Sequence, residues 1–135
     1  MDHDKILVFS GRSSSGKTYQ LKKLVNDQNA RFLHADELLD IIVTCAKCAY
    51  TEELKKADPA TLLLATGATM FAFDDIDYEF KGKPQCQKEI CKVIWNLAKR
   101  GHQVAIGVID IEDVPVIKQF LTSSPIAGLV EWRFL

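Results

Sequence analysis

The residues best suited to chemistry fall in two short stretches. The first, Gly11-Arg12-Ser13-Ser14-Ser15-Gly16-Lys17-Thr18, satisfies the pattern G-x-x-x-x-G-K-S/T. Its glycines allow backbone torsions and close approaches that a side chain would block, so successive N–H groups can turn inward onto phosphate oxygens. Lys17 then sets its ammonium between the β- and γ-phosphates of a nucleotide, and Thr18 offers its hydroxyl to Mg²⁺. A helix starting at Gly16 adds the positive end of its dipole at the same place. Tyr19, the next residue, is grouped with the loop as a nucleotide contact. Arg12 either touches phosphate or is solvated, with solvation slightly favoured.

The second stretch, Met70-Phe71-Ala72-Phe73-Asp74-Asp75, is an apolar run that ends in two carboxylates. Asp74, at the end of a strand, suits a residue that holds the water shell of Mg²⁺ beside Thr18. Asp75, one step on, is placed to polarise a water aimed at the γ-phosphate, which makes Asp75 and Lys17 the candidate catalytic residues. A serine-rich turn and a solvated acidic loop are the plain alternatives. They lose ground because both stretches follow apolar runs, and open parallel sheets bind ligands beyond the carboxyl ends of their strands.

Positioning these residues takes an alternation of strands and helices. Ile6 to Phe9 is short, apolar and partly β-branched, as a strand covered on both faces should be. A helix follows from Gly16 to about Asp27, with Tyr19, Leu21, Leu24 and Val25 at helical spacing. Arg31 to His34 reads as a strand, and Asp36 to about Lys56 as a helix with Leu38, Leu39, Ile42, Val43 and Ala46 on one side. Pro59 marks a helix break near Asp58. The segment 59–69, "PATLLLATGAT", fits helix, loop or an extra strand.

Met70 to Phe73 is the third strand, and Pro84 opens a helix whose Ile90, Val93, Ile94 and Leu97 recur at i, i+3, i+4 and i+7 before Gly101 ends it. Val104 to Ile109, a short helix from Val114 to Leu121 and a strand from Leu129 to Phe134 complete the set. Strands separated by helices require parallel pairing with right-handed crossovers, hence a three-layer α/β sandwich.

At 135 residues the chain is expected to form one domain, 1–135, without room for a second. A net charge of -1 gives no global attraction to a phosphate backbone, so nucleic acid is at most a weak partner for the chain alone. Lys81, Lys83, Lys88, Lys92, Lys99 and Arg100 are better read as a solvated helix face than as a nucleic-acid contact. The longest apolar runs fall well short of the roughly 20 residues that span a bilayer, and the polar start "MDHDK" lacks a signal-peptide core. A cytoplasmic location without a membrane partner is therefore expected.

Cys45-x-x-Cys48 and Cys86-x4-Cys91 can be drawn as a four-thiolate zinc site. Both pairs fall in expected helices rather than in tight knuckle turns, which favours free thiols. His3, His34 and His102 are scattered and read as surface or strand-end histidines rather than ligands. Trp95 and Trp132 read as packing aromatics.

With both stretches placed, most of the chain resembles the nucleotide-binding core of the bacterial replication initiator DnaA and its AAA+ helicase-loader relatives. The likeness is strongest in "FAFDDIDYEFKGKPQCQKEICKVIWNLAKRGHQVAIG", residues 71–107, and extends to "RFLHADELLDIIVTC" and "LTSSPIAGLV". It implies a P-loop fold with a five-stranded parallel sheet of order 5-1-4-3-2, ATP or ADP with Mg²⁺ as ligand, and another AAA+ or replication protein as partner.

The departures bear on activity. At the position that best fits the family's arginine finger the chain has Ser124, with no arginine between Arg100 and Arg133. The polar sensor after the fourth strand matches Asp110 only with a one-residue slip. The helical lid, the DNA-binding domain and most of the segment that cradles adenine have no counterpart. A finger alone is worth about 10³ to 10⁵ in rate, so the expectation is nucleotide binding with slow or partner-dependent ATP hydrolysis. A non-hydrolysing interaction module is the alternative; a small P-loop kinase fits less well, because no arginine-rich lid lies between Lys56 and Pro84.

Overall fold

The computed structural model describes residues 6–12, 16–26, 30–48 and 59–135. Five strands, β1 (Ile6–Ser10), β2 (Ala30–His34), β3 (Met70–Asp74), β4 (Gln103–Val108) and β5 (Val130–Phe134), form one sheet. Its order is β2-β3-β4-β1-β5 and every pairing is parallel, which is the implied 5-1-4-3-2 order read from the other edge. The helices are α1 (Lys17–Asn26), α2 (Ala35–Cys48), α3 (Pro59–Leu64), α4 (Ile76–Phe80), α5 (Pro84–Lys99) and α6 (Pro115–Thr122).

Strand alternation sorts the apolar residues onto two faces. One face takes Ile6 and Val8 of β1, Phe71 and Phe73 of β3, and Val104, Ile106 and Val108 of β4; residues from α2 to α6 pack onto it. The other takes Leu7, Phe9, Met70, Ala72 and Ala105, covered by Leu21 of α1. Burying a side chain such as Phe71 or Phe73 contributes about 1.5–3 kcal/mol each, so β3 anchors the helices packed on that face.

The expected helical stripe of α5 is buried at Ile90, Val93, Ile94 and Leu97. Its end is closed by Gly101 N–H on the Ala98 carbonyl and His102 N–H on the Leu97 carbonyl, the paired bonds of a Schellman motif. Trp95 and Trp132 pack against the core as partly buried residues. The six basic residues of α5 and its approach are exposed.

Several boundaries differ from the sequence expectation. The segment left open at 59–69 starts with a helix, α3, because proline suits a first helical position where no N–H is needed. The helix expected to run to Lys56 is described to Cys48; Lys56 and Asp58 lie outside the described residues. The α4 turn after Asp75 was not anticipated. Among the described residues no helix is long and apolar enough to cross a membrane.

Candidate functional site

The strand ends meet along one edge of the sheet. Ser10 pairs with Val108 and His34 with Asp74 in the register, so the segments leaving β1, β2, β3 and β4 emerge side by side. Gly11 N–H donates to the Val108 carbonyl at 3.0 Å, which ties the start of the glycine loop to β4. Ser13, Ser14 and Ser15 lie outside the described residues, as do His3 and the side chains of Leu24, Val25, Ala46 and Cys48. Gly16 has φ +87°, a torsion open to glycine at little cost, and Lys17 follows as the first residue of α1.

Lys17 and Leu21 stand one helical turn apart and are both buried, Lys17 at 2% exposure. Tyr19 does not share that side: it is 66% exposed, because residues two apart on a helix point in opposing directions. Tyr19 thus stands apart from Leu21, contrary to the helical stripe expected from its spacing. Arg12 is exposed.

Burial of the Lys17 ammonium demands a counter-charge, and Asp74 at the end of β3 and Asp75 just after it supply two. Lys17 Nζ lies 3.2 Å from Asp75 Oδ1 and 3.6 Å from Asp74 Oδ1. Thr18 donates its hydroxyl to Asp74 Oδ2 at 2.5 Å, and the Asp75 N–H donates to Asp74 Oδ1 at 2.9 Å. Asp74 is fully buried, whereas the Asp75 side chain is 42% exposed. Asp75 also takes a left-handed backbone conformation, φ 57° and ψ 38°, at the start of α4. That conformation is strained for a residue with a side chain.

The structure thus brings Lys17, Thr18, Asp74 and Asp75 into one cluster, beside Gly11 and Gly16 at the loop's described ends. A buried ammonium, a hydroxyl and two carboxylates form a donor set for a polyphosphate and a hard divalent cation, because the oxygens of Thr18 and Asp74 already converge.

Four residues at this edge escaped sequence reasoning as parts of it. Gly107 on β4 lies beneath the cluster: a Cβ there would sit 2.5 Å from Asp74 Oδ1, 2.8 Å from Leu21 Cδ1 and 3.2 Å from Lys17 Cδ. Asp77 is buried and accepts hydrogen bonds from Ile109 N–H, 3.0 Å to each carboxylate oxygen, and from Asp110 N–H at 2.8 Å. Gln87 donates to the Phe80 carbonyl at 2.8 Å and accepts from Val116 N–H at 3.1 Å, bridging α4 to α6. His34, read as a strand-end histidine, is exposed at the end of β2 yet close to both aspartates. Two of these residues carried a faint sequence signal: a glycine inside an apolar strand and a third acid after Asp75 both mark close approach or an unmet backbone group.

Asp110, the slipped sensor match, is exposed, and its carboxylate accepts from Glu112 N–H at 3.0 Å, capping the short 3-10 turn Ile111–Asp113. Ser124 is exposed. Cys45 is buried, Cys86 and Cys91 are free thiols, and burial pushes Cys91 up to about 12, which keeps it protonated at neutral pH. Among the described residues no cysteine belongs to a group able to hold a metal.

A parallel sheet of this order, with a glycine-flanked loop after β1 and carboxylates at the end of β3, defines an α/β fold of P-loop type. No family model matches the chain, and no curated protein matches its sequence. Solved structures do: a DNA replication initiation factor superposes with a TM-score of 0.65 at 16% identity, over 95% of this chain and 39% of that one. Domain III of the Thermotoga maritima replication initiation protein DnaA gives 0.65 at 18% identity, over 94% and 53%. AMPPCP-bound DnaA from Aquifex aeolicus gives 0.63 at 16% identity, over 96% and 40%. The chain resembles the nucleotide-binding core of DnaA in fold and spans about half or less of the length of these proteins.

Proposed function

We propose that the chain binds ATP or ADP with Mg²⁺ as a minimal DnaA-like P-loop protein. The observation that carries this reading is the convergence of Lys17, Thr18 and Asp74, with the Thr18 hydroxyl 2.5 Å from a buried carboxylate at the start of α1. Gly11, Arg12, Ser13, Ser14, Ser15 and Gly16 would supply the loop amides and approach, Lys17 the charge on the β- and γ-phosphates, and Thr18 and Asp74 the oxygens around the cation. Tyr19, exposed one residue further on, would reach the nucleotide's outer side. The AMPPCP-bound neighbour supports a nucleotide as ligand through its fold alone.

Asp75 is the candidate to orient an attacking water. Its contact with Lys17 and the Ser124 in place of a finger arginine both support slow hydrolysis by the isolated chain. A cytoplasmic, single-domain protein that works on another AAA+ or replication protein, in replication initiation or its regulation, is the setting that fits. A non-hydrolysing binding module is the second reading, favoured by the same Lys17–Asp75 contact.

The test is a titration with ATP and ADP in Mg²⁺, with phosphate release followed in parallel. Lys17→Ala should weaken binding by about tenfold or more, a loss of ~1.4 kcal/mol. Unchanged affinity would remove the basis of both readings, and turnover by the chain alone at the rate of an assembled AAA+ ring would overturn slow hydrolysis.

A further inference from the structure

The edge that gathers Asp74 and Asp75 also brings a histidine to them. The β2–β3 register sets His34 opposite Asp74. A ring nitrogen of His34 and one carboxylate oxygen from each aspartate lie within 4.8 Å of one another. The imidazole and the Phe32 ring meet at right angles, with ring centroids 5.2 Å apart. Among the described residues neither ring nitrogen has a hydrogen-bond partner. Two carboxylates there face the one ammonium of Lys17, which leaves the pair net negative.

We infer that His34, Asp74 and Asp75 form a site for a divalent transition-metal ion such as Mn²⁺, at the place where oxygen ligands alone would serve Mg²⁺. The inference rests on the reading of Asp74 as a cation-holding residue and adds the class of cation. Mg²⁺ takes oxygen ligands and keeps its waters, whereas an imidazole nitrogen adds affinity for first-row transition ions, least for Mn²⁺ among them, which makes Mn²⁺ the stringent probe. Ligand atoms on opposite sides of one ion with bonds of about 2.1 Å lie about 4 Å apart. The exposed His34 side chain closes the remaining difference by rotation.

Lys17 is the competitor for this position. A polyphosphate that draws the ammonium off Asp75 and Asp74 leaves both carboxylates to the ion, so nucleotide and metal strengthen each other's binding. The reciprocity is a thermodynamic requirement and gives the site a second signature.

The experiment is a Mn²⁺ titration of the full chain with and without ADP, followed by electron paramagnetic resonance, with Mg²⁺ as competitor. Mn²⁺ should bind about tenfold or more tightly than Mg²⁺, bind more tightly still with ADP, and show in pulsed spectra the coupling of a directly bound nitrogen. His34→Gln should lower Mn²⁺ affinity by about tenfold or more and abolish that coupling. An unchanged Mn²⁺ affinity in His34→Gln, or wild-type spectra without a bound nitrogen, overturns the inference; the wild-type spectrum decides even if the variant fails to fold. Nucleotide binding by the wild type in Mg²⁺ is measured alongside. Its absence overturns the nucleotide reading, whereas nucleotide binding without a bound nitrogen on Mn²⁺ overturns only the metal assignment.

Discussion

The site is limited by space at one position and by charge at another. Gly107 has no side chain, and that vacancy is what admits the Asp74 carboxylate, Leu21 and the stem of Lys17 to the surface of β4. Gly107→Ala should displace at least one of them, costing about 1–3 kcal/mol of stability and weakening Mg²⁺-dependent nucleotide binding by roughly tenfold. Thermal melts and nucleotide titrations check the two effects, and an unchanged affinity would mean that the cluster has slack. Lys17, Thr18 and Asp74 were legible in the sequence because their roles follow from local spacing and from the strand before them. Gly107 and His34 were not, because their importance arises from the register between strands far apart in the chain.

At the scale of elements, α4 shows how a short helix does more than connect. Its five residues carry Asp77 under the exit of β4, where one carboxylate accepts the amides of Ile109 and Asp110. Gln87 repeats the device between α4 and the start of α6. Asp77→Ala should therefore strand two amides, lowering stability by about 2 kcal/mol or more, while Asp77→Asn keeps an acceptor and should lose less. Denaturant midpoints of the two variants give the comparison; equal losses would assign the effect to charge rather than to amide acceptance. The strands and α5 were legible because burial imposes a clear period on their apolar residues. The α4 turn was not, since a five-residue helix carries less than two turns of pattern, and "PATLLLATGAT" offered apolar residues without a period to decide among forms.

For the whole molecule, alternation of strands and helices establishes a parallel sheet but not the order of its strands. The order was available from the family resemblance, and the observed β2-β3-β4-β1-β5 arrangement agrees with it. The distribution of helices was not available from either source. Residues from α2 to α6 cover one face, while among the described residues α1 alone covers the other. A face held by one helix opens at lower free energy than a face held by several, so α1 and the strands beneath it should exchange their amide hydrogens through a local opening. A nucleotide seated at the N-terminus of α1 would then act as a clamp on the thinner half. At a concentration 100 times its dissociation constant it should slow exchange in α1 by about 100-fold, and slow α5 much less. Equal slowing on both faces would mean that the molecule opens as one unit. Occupancy of the site and rigidity of the sparsely covered face are, on this reading, the same event, and a partner that senses α1 senses the nucleotide.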